Sequence, residues 1–252
     1  DCVHTDQCPQ AVRTVDGAPM GTEFVLFDFD GVIANTEESN EAYLEKALSA
    51  FGIQLTDDER KALIGTNDKA RIESLLSRSL VKVTAEDLAG KRRQVGNTYE
   101  NSCIRPMPGV VSLIQEIRGR GMKTGLVTST STRLIMIALN RMRMTALFDV
   151  VICGDMCANH KPDPECYKKA MDYLGAEPCK CIVFEDSAVG IHAARLAGAR
   201  VAAYRGSGIQ QDVSEADLIV DSYDECKDML DDIMQGRKMQ DRITQGGIMP
   251  CK

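Results

Sequence analysis

With 252 residues, 44% of them apolar, the chain can bury the core of one sizeable α/β domain, alone or with a smaller companion, and falls outside the disordered class. Thirty Lys and Arg against 37 Asp and Glu give a formal net charge of −7, which argues against a nucleic-acid or anionic-membrane binder, since either needs a basic face. A small anionic ligand stays compatible, because a few local cations and a metal ion can dominate one pocket.

No apolar run reaches the length of a membrane span and no signal-peptide region is visible, so no membrane partner is expected. The expected location is the cytoplasm, with an organelle as the alternative if a leader once preceded Asp1. The ten cysteines form no pair of CxxC knuckles, and only His4, His160 and His192 could complete a zinc site. Several lie inside strand-like runs, such as Cys153 and Cys181, and are read as buried or incidental thiols in a reducing compartment.

Residues 1–21 are polar and lack apolar periodicity, and are expected to be a tail. The first strand is EFVLF at 23–27, ending in Asp28-Phe29-Asp30-Gly31. A helical pattern then runs from Thr36 to about Ser102. In EAYLEKALSAF it puts Ala42, Tyr43, Ala47, Leu48 and Phe51 on one face, and Thr56-Asp57-Asp58-Glu59 reads as a helix start. Pro106 and Pro108-Gly109 mark re-entry, after which strands and helices alternate: MKTGLV, STRLIMIALNRM, FDVVICG, DPECYKKAMDYLG, KCIVFED, AVGIHAARLAG, ARVAAYR and ADLIVD. The alternation predicts an α/β fold with a doubly wound parallel sheet, interrupted by an α-helical insertion. The domains expected are a core of residues 22–35 and 106–235, an inserted unit of 36–105, and a second tail of 236–252.

In such a sheet ligands gather at the carboxyl ends of the strands. Asp28 and Asp30 follow the first strand, Thr128 and Ser129 the second, Lys161 the third, and Glu185-Asp186 end the fourth, so one pocket collects them. Two close carboxylates repel unless a cation intervenes, and a hard divalent ion such as magnesium prefers oxygen ligands. Asp28, Glu185 and Asp186 can supply those oxygens. The hydroxyl run Thr128 to Ser131 precedes a helix, where it can both cap the helix and leave amides for a phosphate. Lys161, braced by Pro162 and Pro164, is placed for an anionic partner on the same edge. His160 and His192 carry no expected chemistry.

These residues make the chain resemble the haloacid dehalogenase superfamily, in its phosphatase and phosphomutase branch with a small helical cap. FDFDGVIANTEE at 27–38 resembles the first motif of that family, VTSTS at 127–131 the second, the lysine of HKPDP at 160–164 the third, and VFEDSAVGIHAA at 183–194 the fourth. The resemblance spans about residues 23–222 and leaves both ends uncovered. It implies that Asp28 attacks phosphorus to form an aspartyl phosphate, and that Asp30 acts as acid and then as base. It further implies Mg2+ held by Asp28, the main-chain carbonyl of Asp30, Glu185 and Asp186, with Thr128, Ser129 and Lys161 on the phosphoryl oxygens.

DGVIANTEE also resembles the opening of the β-phosphoglucomutases. Those mutases carry a basic-Gly-x-Ser-Arg run in the cap and a histidine soon after the first motif; here the corresponding places hold Ile64 to Asp68 and Asn40. Without that arginine a second phosphate loses its bidentate partner. Hydrolysis of a small phosphorylated metabolite is therefore the expectation. A mutase, with Lys69 or Arg71 as the compensating cation, is the alternative, and a non-catalytic scaffold the other. The cap is expected to close over the pocket through hinges near Asn35–Thr36 and Arg105–Pro108, with Asn40, Gly65, Thr66, Asn67 and Lys69 as candidate selectors of the leaving group. A monomer or weak homodimer is expected.

Overall fold

A computed structural model describes residues 21–63, 69–228 and 230–234 of the chain. Residues 1–20 of the first expected tail, the whole of the second, Gly65, Thr66, Asn67 and the side chain of Lys69 lie outside the described residues.

Six strands form one parallel sheet in the order β3-β2-β1-β4-β5-β6: β1 (Phe24–Phe27), β2 (Lys123–Val127), β3 (Val150–Ile152), β4 (Cys181–Glu185), β5 (Arg200–Tyr204) and β6 (Leu218–Val220). The chain moves outward from β1 to one edge and then returns to the other side of it, which is the doubly wound arrangement the alternation predicted. Phe27 pairs with Leu126 on one side and Phe184 on the other, so β1, β2 and β4 end side by side.

Strand parity sorts the side chains onto two faces. Val25, Phe27, Ile182 and Phe184 join a cluster with α6 (Val110–Gly119) and α7 (Thr132–Arg141). Leu26, Cys181, Val183 and Val201 face the other way, against α8 (Glu165–Leu174) and α9 (Ala188–Leu196). The Phe27 and Phe184 rings stack with centroids 5.1 Å apart. After β6, α10 (Tyr223–Asp228) and α11 (Leu230–Met234) close the first face, where the buried Tyr223 hydroxyl donates to the Val32 carbonyl at 2.7 Å.

Between β1 and β2 lie α1 (Glu37–Ser49), α2 (Asp57–Leu63), α3 (Lys69–Leu76), α4 (Ala85–Val95) and α5 (Thr98–Asn101). The helix start expected at Thr56 is present as reciprocal capping: Thr56 N–H donates to Glu59 at 2.9 Å, and Glu59 N–H donates to the Thr56 hydroxyl at 3.2 Å. Ala47, Leu48, Leu63, Leu75, Leu76 and Leu88 form an apolar cluster separate from the two that flank the sheet. One expectation for α1 is corrected. Ala42 is exposed, and Leu44 packs on this cluster instead, because Leu44, Ala47, Leu48 and Phe51 have the i, i+3, i+4, i+7 spacing of one helix face and Ala42 does not. The short α5 is different again, since Tyr99 belongs to the cluster beneath the sheet and α5 packs on α7. The two segments that enter and leave the insertion run together: Ala34 bridges Pro106, and Met107 N–H donates to the Ile33 carbonyl at 2.8 Å.

Candidate active site

The parity that buries Leu26 and Val183 continues one step beyond the ladder. Asp28 and Glu185 therefore emerge on the α8 face, at the ends of adjacent strands. Lys161, from the loop ahead of α8, reaches between them. Its ammonium donates to Asp28 Oδ1 and Glu185 Oε1, both at 2.6 Å, and to the Val127 carbonyl at 3.1 Å. The Lys161 side chain is only 4% exposed and sits 4.8 Å from the centre of the Tyr167 ring.

Glu185 is fully buried and its two oxygens are heavily engaged. Oε1 also accepts from the Tyr167 hydroxyl at 2.7 Å; Oε2 accepts from the Asp186 and Ser187 amides and the Ser187 hydroxyl at 3.0–3.2 Å. Oxygens buried this completely need such partners, because a polar atom taken out of water without them costs free energy.

Burial pushes the Asp28 carboxyl up to about 8; Lys161 opposes the shift, while Glu185 and Asp30 add to it. Asp186 rises to about 9, first through burial and then through Glu185, Asp28 and Glu37. Burial alone would lower the Lys161 ammonium, yet Asp28 and Glu185 hold it well above its ordinary value. One cation thus serves a group of acids that want more positive charge. Carboxylate oxygens of Asp28, Glu185 and Asp186 lie within 4.8 Å of one another, an all-oxygen donor set that suits a hard divalent ion. Among the three, Glu185 already spends both oxygens on protein donors.

Asp30 stands in a cradle of hydroxyls. Thr36 donates to its Oδ1 at 2.5 Å, Tyr99 to the same oxygen at 2.8 Å, and Thr130 to Oδ2 at 3.2 Å. The Tyr99 and Thr130 oxygens are 2.9 Å apart. Burial raises the Asp30 carboxyl, and the three hydroxyls pull against that rise.

Two glycines admit the acids. Gly31 has a φ of +78°, and a Cβ there would stand 1.8 Å from Asp186 Oδ2. Gly190, inside α9, lies so close to Glu185 that a Cβ would meet its Oε1 at 1.9 Å.

Asp28, Lys161, Glu185 and Asp186 converge as the strand-end reading expects, with Asp30 beside them. Thr128 is buried, and its hydroxyl accepts from the Thr130 amide at 3.1 Å; Ser129 is exposed. The start of α7 is partly used within the protein, because the Thr132 amide donates to Asp155 at 2.8 Å. Asn40 is turned to Thr98, whose hydroxyl donates to its Oδ1 at 2.7 Å. His160 is exposed, and the half-buried His192 contacts Glu215 at 2.9 Å. Among the described cysteines, Cys153, Cys166, Cys181 and Cys226 are buried. No described helix is long and apolar enough to cross a membrane.

Thr36, Tyr99, Thr130 and Tyr167 were not singled out from the sequence for contact with the acids. Thr36 and Thr130 lie inside segments the motifs had marked. Tyr99 is 69 residues from Asp30, and nothing in its helical surroundings signals the contact.

The model of the haloacid dehalogenase-like hydrolase family matches residues 25–204. A phosphorylated carbohydrates phosphatase of Thermotoga maritima is 30% identical over 176 residues, which cover 70% of this chain and 82% of that protein. Among solved structures, CbbY from Rhodobacter sphaeroides in complex with phosphate is 27% identical with a TM-score of 0.68, covering 81% of this chain and 96% of that one. A putative β-phosphoglucomutase from Thermotoga maritima is 26% identical with a TM-score of 0.67, covering 84% of this chain and 100% of that one. With a family match over more than half its length, the chain belongs to the haloacid dehalogenase-like hydrolases.

Proposed function

We propose that the chain is a magnesium-dependent phosphatase that hydrolyses a small phosphorylated metabolite, most simply a sugar phosphate, through a phosphorylated Asp28. The observation that carries this reading is the pairing of two differently prepared carboxyls. Asp28 is held by the Lys161 ammonium at 2.6 Å, while Asp30, two residues on, is held by hydroxyls alone. One acid is set for nucleophilic attack and the other for moving a proton.

In the first half-reaction Asp28 attacks phosphorus, the ester P–O bond breaks, and Asp30 gives its proton to the departing alcohol. In the second, Asp30 takes a proton from water as that water attacks phosphorus. The bond to Asp28 then breaks and inorganic phosphate leaves. Lys161, Thr128 and Ser129 bind the phosphoryl oxygens and orient them for in-line displacement. Asp28 and Asp186 would supply side-chain oxygens to a magnesium ion, with the main-chain carbonyl of Asp30; Glu185 holds Lys161 and the Asp186 turn beside them. The bound ion would neutralise charge on the transferring phosphoryl group.

The inserted helices, expected as a cap over residues 36–105, would cover this pocket and choose the leaving group. The relatives' names support a carbohydrate phosphate. Hydrolysis is favoured over transfer to a second sugar hydroxyl because Asn40, at the mutase histidine position, is tied to Thr98.

The test is release of inorganic phosphate from a panel of sugar phosphates with magnesium, using Asp28→Asn as control. Release by the wild type alone is expected. Equal background from both proteins over the whole panel would defeat the enzyme reading, and glucose 6-phosphate formed from β-glucose 1-phosphate without free phosphate would replace it with a mutase.

A further inference from the structure

We propose that Tyr99, contributed by the helical insertion, is the positioning residue for the Asp30 acid, so that proton delivery to the leaving group depends on where the insertion sits. This rests on the reading of Asp30 as the acid–base group.

The two oxygens of Asp30 are divided between two parts of the molecule. Oδ1 accepts from Thr36 and Tyr99, which stand where the insertion begins and near where it ends; Oδ2 accepts from Thr130, which follows β2 in the sheet. A carboxyl held on both sides has one orientation, and an acid that must meet a leaving oxygen gains its rate from orientation. Tyr99 is itself fixed. It is 7% exposed, its ring lies 6.0 Å from that of Phe29, and its backbone carbonyl accepts from Arg141 of α7 at 2.6 Å. The same guanidinium reaches the Ser102 carbonyl at 2.7 Å, and Arg133 of α7 pairs with Glu100. Helix α7, which starts two residues after Thr130, therefore clamps the turn that carries Tyr99. Any shift of α5 relative to α7 moves the phenol away from Asp30, and no other described contact on Oδ1 comes from that side.

Because the proton matters most when the departing oxygen is strongly basic, a series of aryl phosphates of graded leaving-group pKa reports the role directly. Values of kcat/KM, which cover the step that phosphorylates Asp28, are measured for 2,4-dinitrophenyl, 4-nitrophenyl and phenyl phosphate. Tyr99→Phe is expected to lose about tenfold or more with phenyl phosphate and little with the dinitrophenyl ester, in the direction of Asp30→Asn, since acid catalysis contributes roughly a hundredfold or more where it is needed.

Arg141→Gln touches neither substrate nor Asp30 and is expected to steepen the same dependence more mildly; it also serves if Tyr99→Phe folds poorly. A uniform loss across the series in both variants, or no loss, overturns the positioning role. If Asp30→Asn itself shows no leaving-group dependence, or the wild type cleaves none of the esters, the acid–base reading fails and takes the proposal with it.

Discussion

Gly190→Ala sets two effects of opposite sign against each other. Gly190 is the third residue of α9, where alanine is favoured over glycine by at most about 1 kcal/mol. The added Cβ, however, would fall 1.9 Å from Glu185 Oε1, 2.1 Å from its carboxyl carbon and 2.3 Å from Oε2. No rotamer change of alanine can relieve this, so Glu185 has to retreat, although it is fully buried. Its retreat strains the Lys161 and Tyr167 contacts at 2.6 and 2.7 Å and those of the Asp186 and Ser187 amides. Losing the equivalent of two charge-assisted hydrogen bonds costs about 3–6 kcal/mol, well beyond the helix gain. The variant should therefore unfold at lower urea, by about 2–5 kcal/mol in the extrapolated stability, and lose phosphatase activity as Lys161 is misplaced. Urea titration by circular dichroism gives the first quantity and a 4-nitrophenyl phosphate assay the second. A variant as stable as wild type, or about 1 kcal/mol more stable, would refute the claim that Glu185 is pinned against the helix.

Lys161→Met should abolish activity and destabilise the fold by about 3–5 kcal/mol, because Asp28 and Glu185 would lose their shared cation; denaturant unfolding beside the activity assay checks both. The pH dependence follows from the carboxyls raised to about 8 at Asp28 and about 9 at Asp186, against an ordinary value of 3.8. Between those limits the folded, metal-free protein binds more protons than the unfolded chain. The stability these groups contribute is therefore full below about pH 4 and declines as pH rises toward 8–9. Magnesium needs the ionised forms, so its stabilisation should grow from about pH 5.5 to about pH 8, read as thermal midpoints with and without the ion. A magnesium shift that is equal at both values, or larger at the lower one, would contradict this.

The sheet was legible because each strand is a short apolar run closed by turn residues, and the alternation of strands with helices leaves a parallel sheet as the economical arrangement. Asp28, Lys161, Glu185 and Asp186 were legible for the same reason, since strand ends are shared addresses in such a sheet. Tyr99 was not. Its contact depends on how α5 packs on α7, a long-range event that local periodicity does not encode. In α1 the expected face included Ala42 and left out Leu44, although Leu44 stands three residues before Ala47 and four before Leu48, on the buried stripe. The hydroxyl run ahead of α7 read as both a cap and a seat that leaves amides for a phosphate; the Ser131 side chain makes no capping bond, and Asp155, which follows β3, takes the Thr132 amide.

The apolar cluster of Leu48, Leu63, Leu76 and Leu88 touches neither of the two that support the sheet. Substitutions in well-separated clusters combine additively. Mutations there therefore draw on a reserve of stability distinct from the one that positions Asp28 and Lys161. Under the proposed function, natural variation could recast the inserted helices and with them the molecule admitted, while the strand-end acids kept the same bond cleavage. Substrate choice and chemistry would then be separately heritable, and α5, whose Tyr99 meets Asp30, is where that separation would end.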